Sequence, residues 1–164
     1  MKTRKSKDRL TIGWREWIAL PELGVKTIKA KVDTGARTSS LHAFDVEVYY
    51  RGTTEMVRFK IHPEQRSAKK EANVKAPVHE WRKVRSSSGE AELRPVILTT
   101  IAIFDDKWEV ELTLTRRDSM GFRMLLGRQA VRGHMIVDPG RSYLNGRRSK
   151  ITGNLITSKK KQKD

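Results

Sequence analysis

Apolar residues recur at every second position through most of this chain, the period of a β-strand with one buried face. Ile28, Ala30 and Val32 alternate with Lys29 and Lys31, and Val46, Val48 and Tyr50 follow the same pattern. Arg51-Gly52-Thr53-Thr54 reads as a turn, and Val57, Phe59 and Ile61 return as the second arm of a hairpin with their apolar side inward. Residues 62–80 are polar and unpatterned, which predicts a long loop. A further hairpin is predicted from Trp81 to Leu93, turning at Ser86-Ser87-Ser88-Gly89. The most apolar strand is Val96 to Phe104, ended by Asp105-Asp106-Lys107, after which Trp108, Val110, Leu112 and Leu114 alternate with polar residues. Phe122 to Leu126 gives a short strand, Arg128 to Arg132 closed by Gly133 a short helix, and His134 to Asp138 an extended segment up to the Pro139-Gly140 turn. Many short strands and one short C-terminal helix predict an all-β domain, a small closed barrel or a sandwich.

A chain of 164 residues fits one domain with loose ends, here a basic tail over 1–10, a folded body over 11–145 and a second basic tail over 146–164. Hydrophobic content of 37% and charged content of 33% predict that part of the chain is solvated. Of the net charge of +16, residues 1–9 and 158–164 together carry +7, leaving +9 on the body. Such a balance attracts anions, whether nucleic acid, a ribosome surface or an acidic peptide, or else serves solubility alone. No RNA-stacking or zinc-finger signature accompanies it. No apolar run is long enough to cross a membrane, the basic first residues lack the apolar stretch of a secretory signal, and there is no cysteine, so the expected location is the cytoplasm.

The chemistry centres on Lys31-Val32-Asp33-Thr34-Gly35-Ala36-Arg37. Here a strand ends on a carboxylate, a hydroxyl follows, and a glycine permits a bend closed to residues with a Cβ. Taken alone, Asp-Thr-Gly is an ordinary turn. A second apolar stretch, Met124-Leu125-Leu126-Gly127-Arg128, places its glycine 94 residues beyond Asp33. Together the two resemble the retropepsin-like aspartic proteases, whose signature is an apolar strand, Asp-Thr-Gly-Ala, and later an apolar pair followed by Gly and often Arg. KVDTGARTSSLHA, VRSSSGEAELRPVI and MLLGRQAVRGHMIVDP, in that order, are most similar to a bacterial and archaeal branch called ATP-dependent zinc proteases or retropepsin-like endopeptidases. That branch is associated with the ATP-grasp ligase that adds glutamates to a ribosomal protein.

The resemblance implies a closed acid-protease barrel and a peptidase whose two catalytic carboxylates share a proton, since like charges at that separation cannot both ionise. Asp138-Pro139-Gly140 lacks the hydroxyl residue, and Asp118-Ser119-Met120-Gly121 has an inserted residue and no apolar strand before it, so both read as turns. The partner of Asp33 is then Asp33 of a second copy across a twofold axis, which makes the protein a homodimer. Matching positions make Asp33, Thr34 and Gly35 the catalytic loop, with the Thr34 hydroxyl bracing the opposing loop. Leu126, Gly127 and Arg128 support it from beneath. Ala36 stands where pepsin-like relatives carry Ser, which implies a dyad that keeps its proton to higher pH. The hairpin tipped by Ser86 to Gly89 is the expected flap.

Viral relatives carry an acidic residue shortly after the glycine, which pairs with the later arginine; here the position is Arg37. Arg37, with Arg82, Lys83, Arg85 and Arg94 around the flap, suits an acidic, glutamate-rich peptide, unless these are merely solvated strand residues. Ala36, Arg37, His42, Arg85, Ser88 and Arg94 are the expected substrate contacts. Two other readings stay open. One is a non-catalytic barrel that binds RNA or ribosome through its basic surface and tails. The other is a zinc peptidase, although His42, His62, His79 and His134 show no ligand spacing and His79-Glu80 is not followed by a His in register. No metal, nucleotide loop or other cofactor is expected from the residues themselves.

Overall fold

The computed structural model describes residues 9–64, 69–85, 88–116 and 121–146. Both basic tails, apart from Arg9, Leu10 and Gly146, lie outside these residues, as do the Ser86-Ser87 part of the hairpin tip and the Asp118 turn. The protein is all-β with one short helix, as the alternation predicts. Among the described residues twelve strands run in chain order: β1 (Leu10–Ile12), β2 (Arg15–Leu20), β3 (Val25–Asp33), β4 (Ser39–His42), β5 (Phe44–Arg51), β6 (Thr54–Ile61), β7 (Ala72–Pro77), β8 (Glu80–Arg85), β9 (Ala91–Ile103), β10 (Asp106–Thr115), β11 (Met124–Gly127) and β12 (Met135–Val137). Helix α1 (Arg128–Val131) follows β11 directly, and Gly133 adopts the left-handed conformation beyond it.

Seven strands form the main sheet in the order β10-β4-β11-β3-β2-β9-β8, and β9 also pairs with β10. Six of them are therefore linked in a ring, although the β2–β9 seam rests on the Ala19–Ala102 pair. Inside lie Ile18, Leu20, Ile28, Leu41, Ile97, Ile101, Leu112 and Met124, all almost fully buried. At roughly 1.5–3 kcal/mol for each large apolar side chain removed from water, this cluster is the principal stabilising term of the body.

β4 and β11 have short sequences that alternation alone does not mark, yet both occupy the middle of the sheet. β11 runs parallel to β3 and antiparallel to β4, so it is threaded between the two segments that flank Asp33. β2 is buried at five successive positions, Glu16 to Leu20, which hides any period-two signal. Glu16 is wholly buried and its carboxylate accepts backbone N–H bonds from Gly13 (2.7 Å), Leu144 (3.0 Å) and Asn145 (2.8 Å). A carboxylate surrounded by three donors is satisfied in the interior, and it ties the segment after β12 to the start of the chain.

Two expectations fail at the second sheet, β5-β6-β7. The predicted loop over 62–80 contains β7, paired with β6 from Ile61–Ala72 to Met56–Pro77; only Val74 in it is buried, too little pattern to betray a strand. On β5 the residues expected to face inward, Val46, Val48 and Tyr50, are 40%, 42% and 66% exposed. β5 is an edge strand, and the core closes over the inward side chains of its neighbour, Val57, Phe59 and Ile61.

Candidate active site

Asp33 is the last residue of β3, at the rim of the main sheet, and sits directly across from Gly127 in the parallel β3–β11 register. Its Oδ1 accepts N–H bonds from Gly35 (3.0 Å) and Ala36 (3.2 Å), and the Ala36 N–H also reaches the Asp33 carbonyl. These bonds make a local turn that holds the carboxylate in one orientation; a Cβ on Gly35 would stand 3.2 Å from Oδ1. Thr34 and Gly35 are exposed, so the loop presents its tip outward.

Support comes from beneath. The Gly127 N–H donates to the Ser39 hydroxyl at 2.9 Å, the Arg128 N–H to the Ala36 carbonyl at 2.7 Å and the Gln129 N–H to the Arg37 carbonyl at 3.1 Å. The Arg128 guanidinium donates through Nη1 to the Thr34 carbonyl at 2.8 Å. Arg128, whose expected acidic neighbour is replaced by Arg37, therefore grips the backbone of the loop instead. Leu126 lies buried beside Val32 in the same register.

The hairpin β8–β9 is present, with Lys83 opposite Leu93 and Arg85 opposite Ala91. Alternation divides its basic residues between two faces. Arg82 and Arg94 are directly paired and face one side; Arg85 points with Trp81, Lys83 and Leu93 to the other, exposed side. The first side is turned toward the Asp33 loop, because Arg82 donates to Thr38 Oγ1 (2.7 Å) and to Glu111 Oε2 (2.8 Å) and also pairs with Glu80. Arg94 is engaged by Glu92 at 3.3 Å. Thus Arg85 and Arg94 do not converge on one cleft, and Ser88 sits exposed in the turn at the far end.

Arg82 is the residue that sequence reasoning undervalued: its place two residues from Glu80 and on the same face as Arg94 is readable from the strand period. The hairpin root is further tied by Glu55, which accepts from the Trp81 indole (2.6 Å) and the Tyr50 hydroxyl (3.1 Å). That hydrogen bond, then the charge of Glu55, raises the Tyr50 phenol above its ordinary value.

His42, expected at the substrate, is instead buried at the opposite end of β4 from Ser39, packed with Phe44 and His62 at ring separations of 6.0 Å. Three residues of strand put it roughly 10 Å along from the Ser39 end, where the Asp33 loop is supported. His79 lies 3.5 Å from Glu111 and His134 stacks on Trp108 at 4.2 Å, so the histidines are dispersed. Among the described residues no three His, Asp or Glu side chains converge to hold a metal ion. Asp138 caps its own turn, accepting the Gly140 N–H at 3.0 Å, and directly follows β12, its N–H donating to the Ile12 carbonyl of β1. No described helix is long and apolar enough to cross a membrane.

Comparison with known proteins adds three findings. Residues 11–148 match the family model described as RimB-like, retropepsin-like aspartic endopeptidase RimB. A protein of Shewanella pealeana named "Probable alpha-L-glutamate ligase" is 46% identical over 146 residues, covering 89% of this chain and 32% of that protein; one of the same name from Parasynechococcus marenigrum is 44% identical over 138 residues, 84% of this chain and 30% of that one. The chain thus spans about a third of the length of these relatives. The crystal structure of a Legionella pneumophila protein of unknown function superposes with a TM-score of 0.70 at 25% identity, covering 83% of this chain and 98% of that one.

Proposed function

Because the chain belongs to the RimB-like family of retropepsin-like aspartic endopeptidases, we propose that it is a homodimeric aspartic peptidase acting on glutamate-rich peptides. The observation that carries this reading is the half-buried carboxylate of Asp33, held in one orientation by Gly35 and Ala36 beneath an exposed loop tip and backed by Gly127 and Arg128. A single carboxylate so placed lacks the partner the reaction needs, and a twofold axis at the loop tip supplies an identical one.

In the dimer, one Asp33 is ionised and the other protonated, a division enforced by their proximity. The ionised carboxylate takes a proton from a bound water, whose oxygen attacks the peptide carbonyl carbon. The protonated carboxyl donates its proton to the carbonyl oxygen, giving a gem-diol. Collapse returns one hydroxyl proton to a carboxylate, the C–N bond breaks, and the leaving nitrogen takes the proton held by the first aspartate. Thr34 braces the two loops against each other, Gly35 and Ala36 offer backbone to the substrate, and Arg128 keeps the loop from shifting by holding its carbonyl. The β8–β9 hairpin covers the bound peptide and excludes water.

The acidic substrate is supported by the positive body of the chain and by Arg37, exposed four residues beyond Asp33. It is supported also by the relatives named as glutamate ligases, since a peptidase that trims glutamate chains would act on what such a ligase makes. The test is to incubate purified protein with an oligoglutamate-extended peptide and follow the products by mass. Cleavage by the wild type, its loss in Asp33→Asn, and insensitivity to a metal chelator are the expected results. Loss on adding chelator would transfer the assignment to metal chemistry. Salt-sensitive RNA binding with no cleavage of any peptide would transfer it to a basic binding module.

A further inference from the structure

Beside the Asp33 loop is a cavity of about 300 Å³ whose walls include Arg37, Thr38, Ser39, Glu109, Glu111 and Gln129. Its charges are mixed, and two glutamates in the lining should repel an acidic side chain. They are not equivalent. Glu111 is engaged: one oxygen accepts from Arg82 Nη2 at 2.8 Å, a nitrogen that also pairs with Glu80, and the other lies 3.5 Å from the His79 ring. Glu109 is exposed and its charge faces water. Arg37, also in the lining, is exposed, and none of the ion pairs among the described residues involves it. Arg82 itself is not part of the lining, yet it binds two wall residues, Thr38 and Glu111, and so bounds the cavity from the hairpin side.

We infer that Arg82 is the specificity-determining residue of this site: by masking Glu111 it converts a mixed-charge cavity into one that takes a substrate glutamate side chain on Arg37. The inference rests on the peptidase reading for its substrate, and it names a role that the flap position alone does not. A guanidinium suits the task because its planar fork serves Thr38 through one nitrogen and Glu111 through another. Arg82 is a positioning residue, since it acts through Glu111 and Thr38 and not on the reacting atoms.

The experiment reads binding, so that it stands apart from hydrolysis. Asp33→Asn protein, which leaves the peptide intact, is titrated by calorimetry with a glutamate-rich peptide and with its glutamine-substituted counterpart. Adding Arg82→Gln should weaken the glutamate peptide about three- to tenfold and leave the glutamine peptide within about twofold, the scale of one uncompensated charge near a wet surface. Adding Glu111→Gln to Arg82→Gln should restore the affinity, and Glu111→Gln alone should tighten the glutamate peptide. Arg37→Gln should abolish the preference between the two peptides. The last two variants keep Arg82 and decide the matter even where Arg82→Gln fails to fold. Equal weakening of both peptides, or no recovery on removing Glu111, would make Arg82 a brace and overturn the inference. No preference for the glutamate peptide in the starting protein would overturn it as well. If the binding pattern holds while wild-type protein cleaves nothing, the peptidase reading fails and this one survives.

Discussion

Gly127 lies opposite Asp33, and the hydrogen in place of a side chain is what lets β11 press against the loop that Asp33 begins. A Cβ at Gly127 would sit 2.6 Å from the Thr38 carbonyl carbon and 2.8 Å from the Ser39 nitrogen, both of them backbone. The position is glycine for lack of space and not for an unusual φ, since its φ is −82°. The apolar-apolar-Gly-Arg pattern is therefore one device: leucine fills the core, glycine permits contact, and arginine reaches over to the Thr34 carbonyl.

Gly127→Ala should accordingly displace the loop from below. The expected cost is about 1–3 kcal/mol of stability, the usual range for overpacking against atoms that cannot rotate away. That corresponds to a fall in Tm of roughly 2–10 °C for a chain of this size. Peptide hydrolysis should fall further than stability, because Asp33 moves with the loop. Thermal denaturation beside an activity assay checks both; a Tm within 1 °C of wild type would mean that the contact is looser than described.

Arg128→Ala separates the loop's position from the stability of the fold. Arg128 is exposed and its guanidinium bonds the Thr34 carbonyl, so its removal should change stability by no more than about 1 kcal/mol. Turnover should drop by about an order of magnitude or more, as one fixed catalytic loop becomes several, and Arg128→Lys should recover only part of it. Wild-type turnover in Arg128→Ala would show that the hydrogen bond has no part in placing the loop.

Glu16 makes a prediction far from the chemistry. Glu16→Gln keeps one acceptor but turns an NH₂ group toward backbone N–H donors, which leaves at least one of them without its charged acceptor. About 2–4 kcal/mol of destabilisation is expected in chemical denaturation, from one or two buried donors losing a charged acceptor. A change below 0.5 kcal/mol would indicate that the segment after β12 is held by other contacts, such as the Trp14–Arg141 backbone bond.

Much of this was legible in the chain because strands with one wet face write their period plainly: β3, β6 and β10 read directly from Ile28 to Val32, Val57 to Ile61 and Trp108 to Leu114. The segments that resisted are those where burial follows another rule. β2 is covered on both faces and contains a buried glutamate; β4 is four buried residues, two of them serine; β7 borrows its register from β6. The Asp33 loop and its Gly127–Arg128 support were legible as motifs because the close backbone approach constrains residue type. The polar surroundings were less so. Arg85 and Arg94 look alike in sequence but fall on opposite faces of a hairpin, and His42, nine positions after Asp33, is carried into the core by β4. Which arginine meets which glutamate depends on strand pairing across tens of residues, as for Arg82 with Thr38 and Glu111.

Mixing subunits tests the twinned carboxylate most directly. Wild-type protein at fixed concentration is allowed to exchange with increasing Asp33→Asn protein, and hydrolysis of the glutamate peptide is followed. If each site needs one aspartate from either molecule, the inert subunit poisons its partner: activity per wild-type chain falls to about half at equal amounts and toward zero in large excess. Activity that stays constant through the titration, with exchange verified by mass, would contradict the account, because each chain would then be hydrolysing peptide without its twin.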